Sequence, residues 1–250
     1  MKLVILAMSC NLPFFVKEEE IVKETWGKDI VENKYEDVSL YFLKSDENER
    51  IEGNYIYVNS GDDILHTMQK TMKGIHMLLD NGIEFDFLIR TNLSTYLNID
   101  VIRQFIYGDM LPNYQDWSGT LFTSEVVSTG KKYGPRGNFL FTNRGIINSI
   151  LYLYDKYYTD TVGLDDAIIG DMLYPAVMLR EVYHGEMFKD VRYHKDCYID
   201  NIEDIDPMFF FISFRYFASS MLMGYDTREQ IEFETCRQID KFIRSHKQSS

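Results

Sequence analysis

Residues 62–90 constrain the fold more than any other stretch. Asp62-Asp63 precede Ile64, Leu65, Met68, Met72, Ile75, Leu78 and Leu79, which recur close to a 3.6-residue period and stop at Asn81-Gly82. That spacing predicts a helix with one apolar face. The β-rich run Phe85-Asp86-Phe87-Leu88-Ile89-Arg90 follows at once, so the chain must lay a strand directly after a helix.

The same alternation holds upstream. Lys2–Met8 is an apolar run too short to cross a bilayer, with only one Lys before it and no small-x-small cleavage site after it, and it reads as a buried first strand. Glu18–Trp26 has an acidic start and Lys23 near its end, which predicts a short helix closed by Gly27. Asp37–Leu43 and Asn54–Val58 read as strands, with the polar segment 44–53 as a loop between them. Strands and helices in this order predict an α/β fold with a mostly parallel central sheet flanked by helices, whose ligands sit beyond the carboxyl ends of the strands.

Composition narrows the function classes. A chain of 250 residues that is 45% hydrophobic can bury one sizeable core, and a single domain is expected. The formal net charge of -13 leaves no basic footprint for phosphate backbones, so no nucleic-acid partner is expected. Cys10, Cys197 and Cys236 are odd in number and lack metal-ligand spacing, which fits a reducing compartment.

Thr91-Asn92-Leu93-Ser94-Thr95 lies at the carboxyl end of the 85–90 strand, where a ligand crevice is expected. The same residues could serve only to cap a helix over Tyr96–Ile106. Farther on, residues 128–137 form a Gly- and cation-rich segment suited to covering an anion. A strand over Asn138–Thr142 and a helix from Gly145 to Tyr158 follow, and Asp165-Asp166 then open a helix over Ala167–Leu173. Past an aromatic-rich segment, 206–217, a charged helix runs to Ile243.

Five landmarks in this order resemble the β-1,3-galactosyltransferase and Fringe-like glycosyltransferases. Val22-Lys23-Glu24-Thr25-Trp26-Gly27 is similar to their Ile-Arg-x-Thr-Trp-Gly motif, and Leu65–Thr71 to their Asn-Leu-Thr-x-Lys-Thr helix. Phe87–Arg90 stands where their strand precedes an acidic motif, Gly137–Thr142 resembles their Gly-Gly-x-Tyr-Val-Leu-Ser strand, and Leu164–Gly170 resembles Glu-Asp-Val-x-x-Gly. The likeness covers roughly residues 1–175. It implies a single GT-A domain over 1–250, with a nucleotide-binding half at 1–110 and an acceptor and catalytic half at 111–250.

The departure is at the acidic motif. Arg90-Thr91-Asn92-Leu93-Ser94-Thr95-Tyr96-Leu97 keeps the flanks of the family's Lys-x-Asp-Asp-Asp-x-Tyr-Val and has none of its aspartates. Asn92 and Ser94 are poor neutral substitutes for carboxylates that hold a divalent cation. The resemblance implies an inverting transfer from a nucleotide-sugar donor, UDP-sugar favoured, to a glycan hydroxyl. No cofactor is required on this reading, and a Mn or Mg ion stays open.

By the same resemblance Asp166 is the general base, with a helix cap as the alternative role for Asp165-Asp166. The implied donor-site residues are Ser9, Lys23, Thr25, Trp26, Lys70, Arg90, Thr91, Asn92, Ser94, Arg136, Asp165, His194 and Arg215. Among them Lys70, Arg90, Arg136 and Arg215 are the cations that could neutralise a leaving diphosphate, Arg136 first, each also readable as a surface charge. His184 and His194 both fall where some relatives place a metal-ligating His, and without the aspartates His194 is read as a weak phosphate contact.

A non-catalytic GT-A-like protein that binds a sugar or a partner is the alternative function. A dinucleotide enzyme is disfavoured, because Ser9-Cys10-Asn11-Leu12-Pro13 stands where GxGxxG would follow the first strand. Without an anchor or stem in the sequence, the expected setting is the cytoplasm of a bacterium or of a virus-infected cell.

Overall fold

The computed structural model describes residues 1–107, 121–122, 134–135, 139–178, 188–192, 213–217 and 225–247. In chain order the elements are β1 (Leu3–Met8), α1 (Pro13–Glu24), α2 (Lys28–Val31), β2 (Val38–Ser45), β3 (Arg50–Glu52), β4 (Tyr55–Val58), α3 (Thr67–Asp80), β5 (Phe87–Asn92), β6 (Thr95–Leu97) and α4 (Ile99–Tyr107). They continue with β7 (Leu121–Phe122), β8 (Gly134–Pro135), β9 (Phe139–Asn143), α5 (Arg144–Tyr157), α6 (Asp165–Met178), β10 (Phe188–Arg192), β11 (Ser213–Phe217) and α7 (Tyr225–Lys247). Two compact units emerge, the first from Met1–Asn11, Tyr35–Asn92 and Asn113–Glu186, the second from Leu12–Lys34, Leu93–Pro112 and Met187–Ser250.

The first unit is built on a six-stranded sheet in the order β3-β4-β2-β1-β5-β9. The four inner strands are parallel, and β3 and β9 run antiparallel at the two edges. From β1 the chain builds outward through β2 to β4, then returns to place β5 on the other side of β1. The strand order therefore reverses between β2 and β5, around β1, and such a switch opens a crevice at the carboxyl ends of the strands.

One face of this sheet carries α3, α5 and α6. Strand alternation sends Val4 and Leu6 of β1, Leu43 of β2, Ile56 and Val58 of β4, Leu88 of β5 and Leu140 of β9 to it. They meet Met68, Met72, Ile75 and Leu78 of α3, Ile147 and Ile150 of α5, and Ile169 and Leu173 of α6. Burying a side chain of this size stabilises by about 1.5–3 kcal/mol. At Gly74 an added Cβ would lie 2.8 Å from both methyls of Leu43, so glycine lets α3 sit close on β2.

Helix α3 follows the expected period. A single 3-10 turn, Ile64–His66, leads into it, capped by the Asp63 carboxylate accepting from the Leu65 N–H at 2.8 Å. At its end Gly82 takes φ +70°, while the Ile83 N–H donates to the Leu78 carbonyl and the Gly82 N–H to that of Leu79. This is the glycine-closed helix end that Asn81-Gly82 signals.

Three expectations need correction. The polar segment 44–53 is not wholly loop, because Arg50–Glu52 pairs with β4 through the two-residue turn Gly53-Asn54, with Gly53 at φ +56°. Helix α1 starts at Pro13 rather than Glu18, with proline at a first-turn position where its missing N–H costs nothing. Residues 95–97 are not helical. They pair antiparallel with β11, and the helix that follows opens at Asn98, whose carbonyl accepts from the Ile102 N–H.

The second unit pairs β10 with β11 in parallel and β11 with β6. Helix α7 lies along α1, with Phe14 and Phe233 stacked at 6.0 Å. Arg244 joins the ends of several elements: Nε donates to both carboxylate oxygens of Asp240, Nη2 donates to the Thr25 carbonyl at 3.0 Å, and Nη1 donates to Asp29 at 3.3 Å.

Candidate active site

The reversal in strand order directs attention to the residues just past β1 and at the end of β5. Ser9 follows β1, its N–H donating to the Leu43 carbonyl. Its own carbonyl accepts from Lys70 Nζ at 2.6 Å, and the same ammonium donates to Asp62 at 2.5 Å. Lys70 arrives there because α3 turns this position towards the strand ends, where it is 4% exposed. Burial pushes its ammonium below the usual lysine range, against the pull of Asp62.

Strand β5 carries the second group. Alternation that buries Leu88 under the helices puts Arg90 on the same face, and a guanidinium there needs a counter-ion. Asp165, the first residue of α6, provides it. Arg90 Nη2 donates to Asp165 Oδ1 at 3.0 Å, and Nε lies 2.6 Å from Oδ2 with its N–H directed off that line, an ionic contact rather than a hydrogen bond. The remaining Nη1 donates to Asn92 Oδ1 at 2.8 Å. Both charged side chains of the pair are 4% exposed.

Helix α3 secures Asp165 from a third side. The Thr71 hydroxyl donates to its Oδ2 at 2.8 Å, and Thr67 Oγ1 accepts from its backbone N–H at 3.2 Å. Asp165 Oδ1 also accepts the Asp166 N–H at 3.0 Å, so this carboxylate holds the peptide that bears Asp166. Asp166 is half-buried, and its Oδ1 accepts the Ala167 N–H at 2.8 Å. Asp165 and Asp166 thus accept first-turn N–H groups from within α6, and this helix start is tied to the end of β5.

The residues named from sequence separate accordingly. Ser9, Lys70, Arg90, Thr91, Asn92, Asp165 and Asp166 belong to the first unit, and Lys23, Thr25, Trp26, Ser94 and Arg215 to the second. Thr25 and Trp26 are buried at the end of α1, where the Thr25 hydroxyl donates to the Ile21 carbonyl at 2.6 Å and lies 3.4 Å from Cys236 Sγ. Lys23 is partly exposed, and Ser94 is buried. Arg215 lies in β11 opposite Thr95. Arg136, His184 and His194 lie outside the described residues.

Sequence reading passed over two members of the site. Thr71 entered only as the end of the Leu65–Thr71 motif, with no role given to its hydroxyl, and Asp62 only as a residue preceding that helix. A polar residue at a core-facing helical position was the available signal for Thr71.

No family model and no curated protein matches the sequence. Solved structures do. A glycosyltransferase involved in glycosylating the major capsid of PBCV-1 matches over 94% of this chain and 100% of its own length, at 11% identity and a TM-score of 0.52. The chain has the GT-A fold. The galactosyltransferase LgtC, solved with donor and acceptor sugar analogs, matches over 92% of this chain and 95% of its own, at 12% identity and a TM-score of 0.48.

Enzymes of the GT-A fold commonly hold a divalent cation through carboxylates beyond the strand that β5 represents. Among the described residues at that strand end the donors are otherwise engaged: Asn92 Oδ1 accepts from Arg90, and Asp165 is neutralised by the same guanidinium. Among the described residues no three His, Cys, Asp or Glu side chains converge. Nor is any described helix long and apolar enough to cross a membrane.

Proposed function

We propose that this chain is an inverting glycosyltransferase that moves a sugar from a nucleotide-sugar donor, UDP-sugar favoured, to a glycan hydroxyl. Asp166 is its general base. The observation that carries the reading is the placing of Asp166: a partly accessible carboxylate at the head of α6, its backbone held through Asp165 to the carboxyl end of β5. The Fringe-like landmarks support the same assignment, and the PBCV-1 enzyme supplies a precedent for glycan transfer on this fold.

In the reaction the acceptor oxygen attacks the anomeric carbon opposite the leaving group, and its proton passes to the Asp166 carboxylate. The bond from the anomeric carbon to the diphosphate breaks with its electron pair on oxygen, giving an inverted glycoside and a nucleoside diphosphate. Arg136 is the cation ranked first for the leaving charge, by charge-assisted hydrogen bonds rather than a bound metal.

The test is the product. Incubation with UDP-galactose or UDP-glucose, followed by proton NMR, should show a freed or transferred sugar first appearing as the inverted anomer, at a rate that survives EDTA. A retained anomer, or activity lost to EDTA and restored by manganese, contradicts the mechanism. The neutral pair Asn92 and Ser94 favours a second reading, a protein that binds nucleotide sugars without turning them over; a thermal shift with no released diphosphate would select it.

A further inference from the structure

We infer that Arg90 is a positioning residue for Asp166, acting through Asp165, rather than a cation that contacts the donor diphosphate. The inference rests on the reading of Asp166 as base. The guanidinium is engaged inside the protein: Nη2 donates to Asp165 Oδ1, Nε lies in ionic contact with Oδ2, and Nη1 donates to Asn92. At 4% exposure of the side chain, a diphosphate could reach it only by displacing those contacts.

What the pair holds is the start of α6. Asp165 meets Arg90 with both oxygens, receives the Thr71 hydroxyl on Oδ2, and uses Oδ1 to accept the N–H of Asp166. Thr67 and Thr71, one turn apart on α3, anchor its backbone and its side chain. The orientation of the Asp166 peptide is therefore set from β5 and from α3 at once. A base must stand within hydrogen-bond reach of the proton it removes, and a shift of about 1 Å can cost on the order of 10²-fold in rate.

The experiment uses full-length protein with UDP-galactose and UDP-glucose as probes, and reads kcat, donor KM and donor affinity by calorimetry for Arg90→Gln, Thr71→Val and their combination. Asp166→Asn is run in parallel. Positioning predicts that Arg90→Gln lowers kcat on the order of 10²-fold with donor KM and affinity unchanged. Thr71→Val should lower kcat less, and the double variant less than the product of the two losses. Should Arg90→Gln fail to fold, Thr71→Val still decides, because it keeps shape and leaves the ion pair in place.

A raised donor KM at unchanged kcat in Arg90→Gln, or full kcat in Thr71→Val, overturns the inference. If that occurs while Asp166→Asn is inactive, the assignment of the base stands and only the positioning role fails. Wild-type turnover in Asp166→Asn, or none in the native protein, removes the reading on which it rests.

Discussion

Replacing Asp165 with alanine tests the packing argument at its most exposed point. The substitution takes from the Arg90 guanidinium, at 4% exposure, the carboxylate it meets with Nη2 and Nε, and takes the acceptor from the Thr71 hydroxyl. Breaking a buried ion pair from one side costs about 3–5 kcal/mol, and a lost hydrogen bond about 1 kcal/mol. Because the two losses share one carboxylate, about 4 kcal/mol in total is expected. For a chain of this length that corresponds to a fall in Tm of about 8–16 °C.

Urea unfolding followed by circular dichroism measures the loss directly, through the midpoint at constant slope. Arg90→Met/Asp165→Leu, which removes both charges and refills the volume, should be closer to wild type than Asp165→Ala. A loss below about 1 kcal/mol in Asp165→Ala, or a double variant less stable than the single one, would refute the reasoning from burial.

Three further outcomes follow from local physics. Gly53→Ala forces a left-handed φ of +56° on a residue with a Cβ and should cost about 1–2 kcal/mol in thermal unfolding, although nothing lies within 4 Å to clash. At Asp29, burial favours the neutral acid, but Lys34 and Arg244 together outweigh it and hold the carboxyl below its usual range. Its contribution is thus present above about pH 4 and lost as pH falls through the lowered value, and Asp29→Asn should flatten the fall in urea midpoint on acidification.

Tyr96 behaves in the opposite sense. Burial, then the charge of Asp240, raises its phenol well above the usual range, so its contribution holds below about pH 10 and is lost as pH rises. Tyr96→Phe should lower stability by about 1 kcal/mol at neutral pH and lessen the alkaline loss, read from urea midpoints between pH 8 and 11.

The elements legible in the sequence are those whose signal is local. Helix α3 shows its period, its Asp63 cap and its Gly82 stop within 20 residues of chain, and β1 and β5 show continuous apolar runs because both faces are buried. β6 was missed because its pairing partner, β11, lies more than 100 residues downstream, and Thr95-Tyr96-Leu97 alone carries too few residues to show a period. The hairpin at Gly53 was hidden by the polar composition of an edge strand.

The candidate site divides in the same way. Asp165-Asp166 stood out as adjacent carboxylates at a helix start, and the strand end at Asn92 stood out by position. Their connection did not: Arg90 and Asp165 are 75 residues apart, and only the sheet face on which Arg90 falls brings them together. The motif around Thr25 and Trp26 was legible as a pattern, while its packing against Cys236 of α7 depended on a contact 211 residues away.

The central claim is that Asp166 removes the acceptor proton in a nucleotide-sugar transfer. Initial rates of nucleoside diphosphate release from a UDP-sugar panel, measured for wild type and Asp166→Asn alongside donor affinity, test it most directly. The account predicts wild-type turnover that falls by 10²-fold or more in the variant, in the range that general-base catalysis supplies, with donor affinity intact. Equal turnover in the two proteins would contradict it.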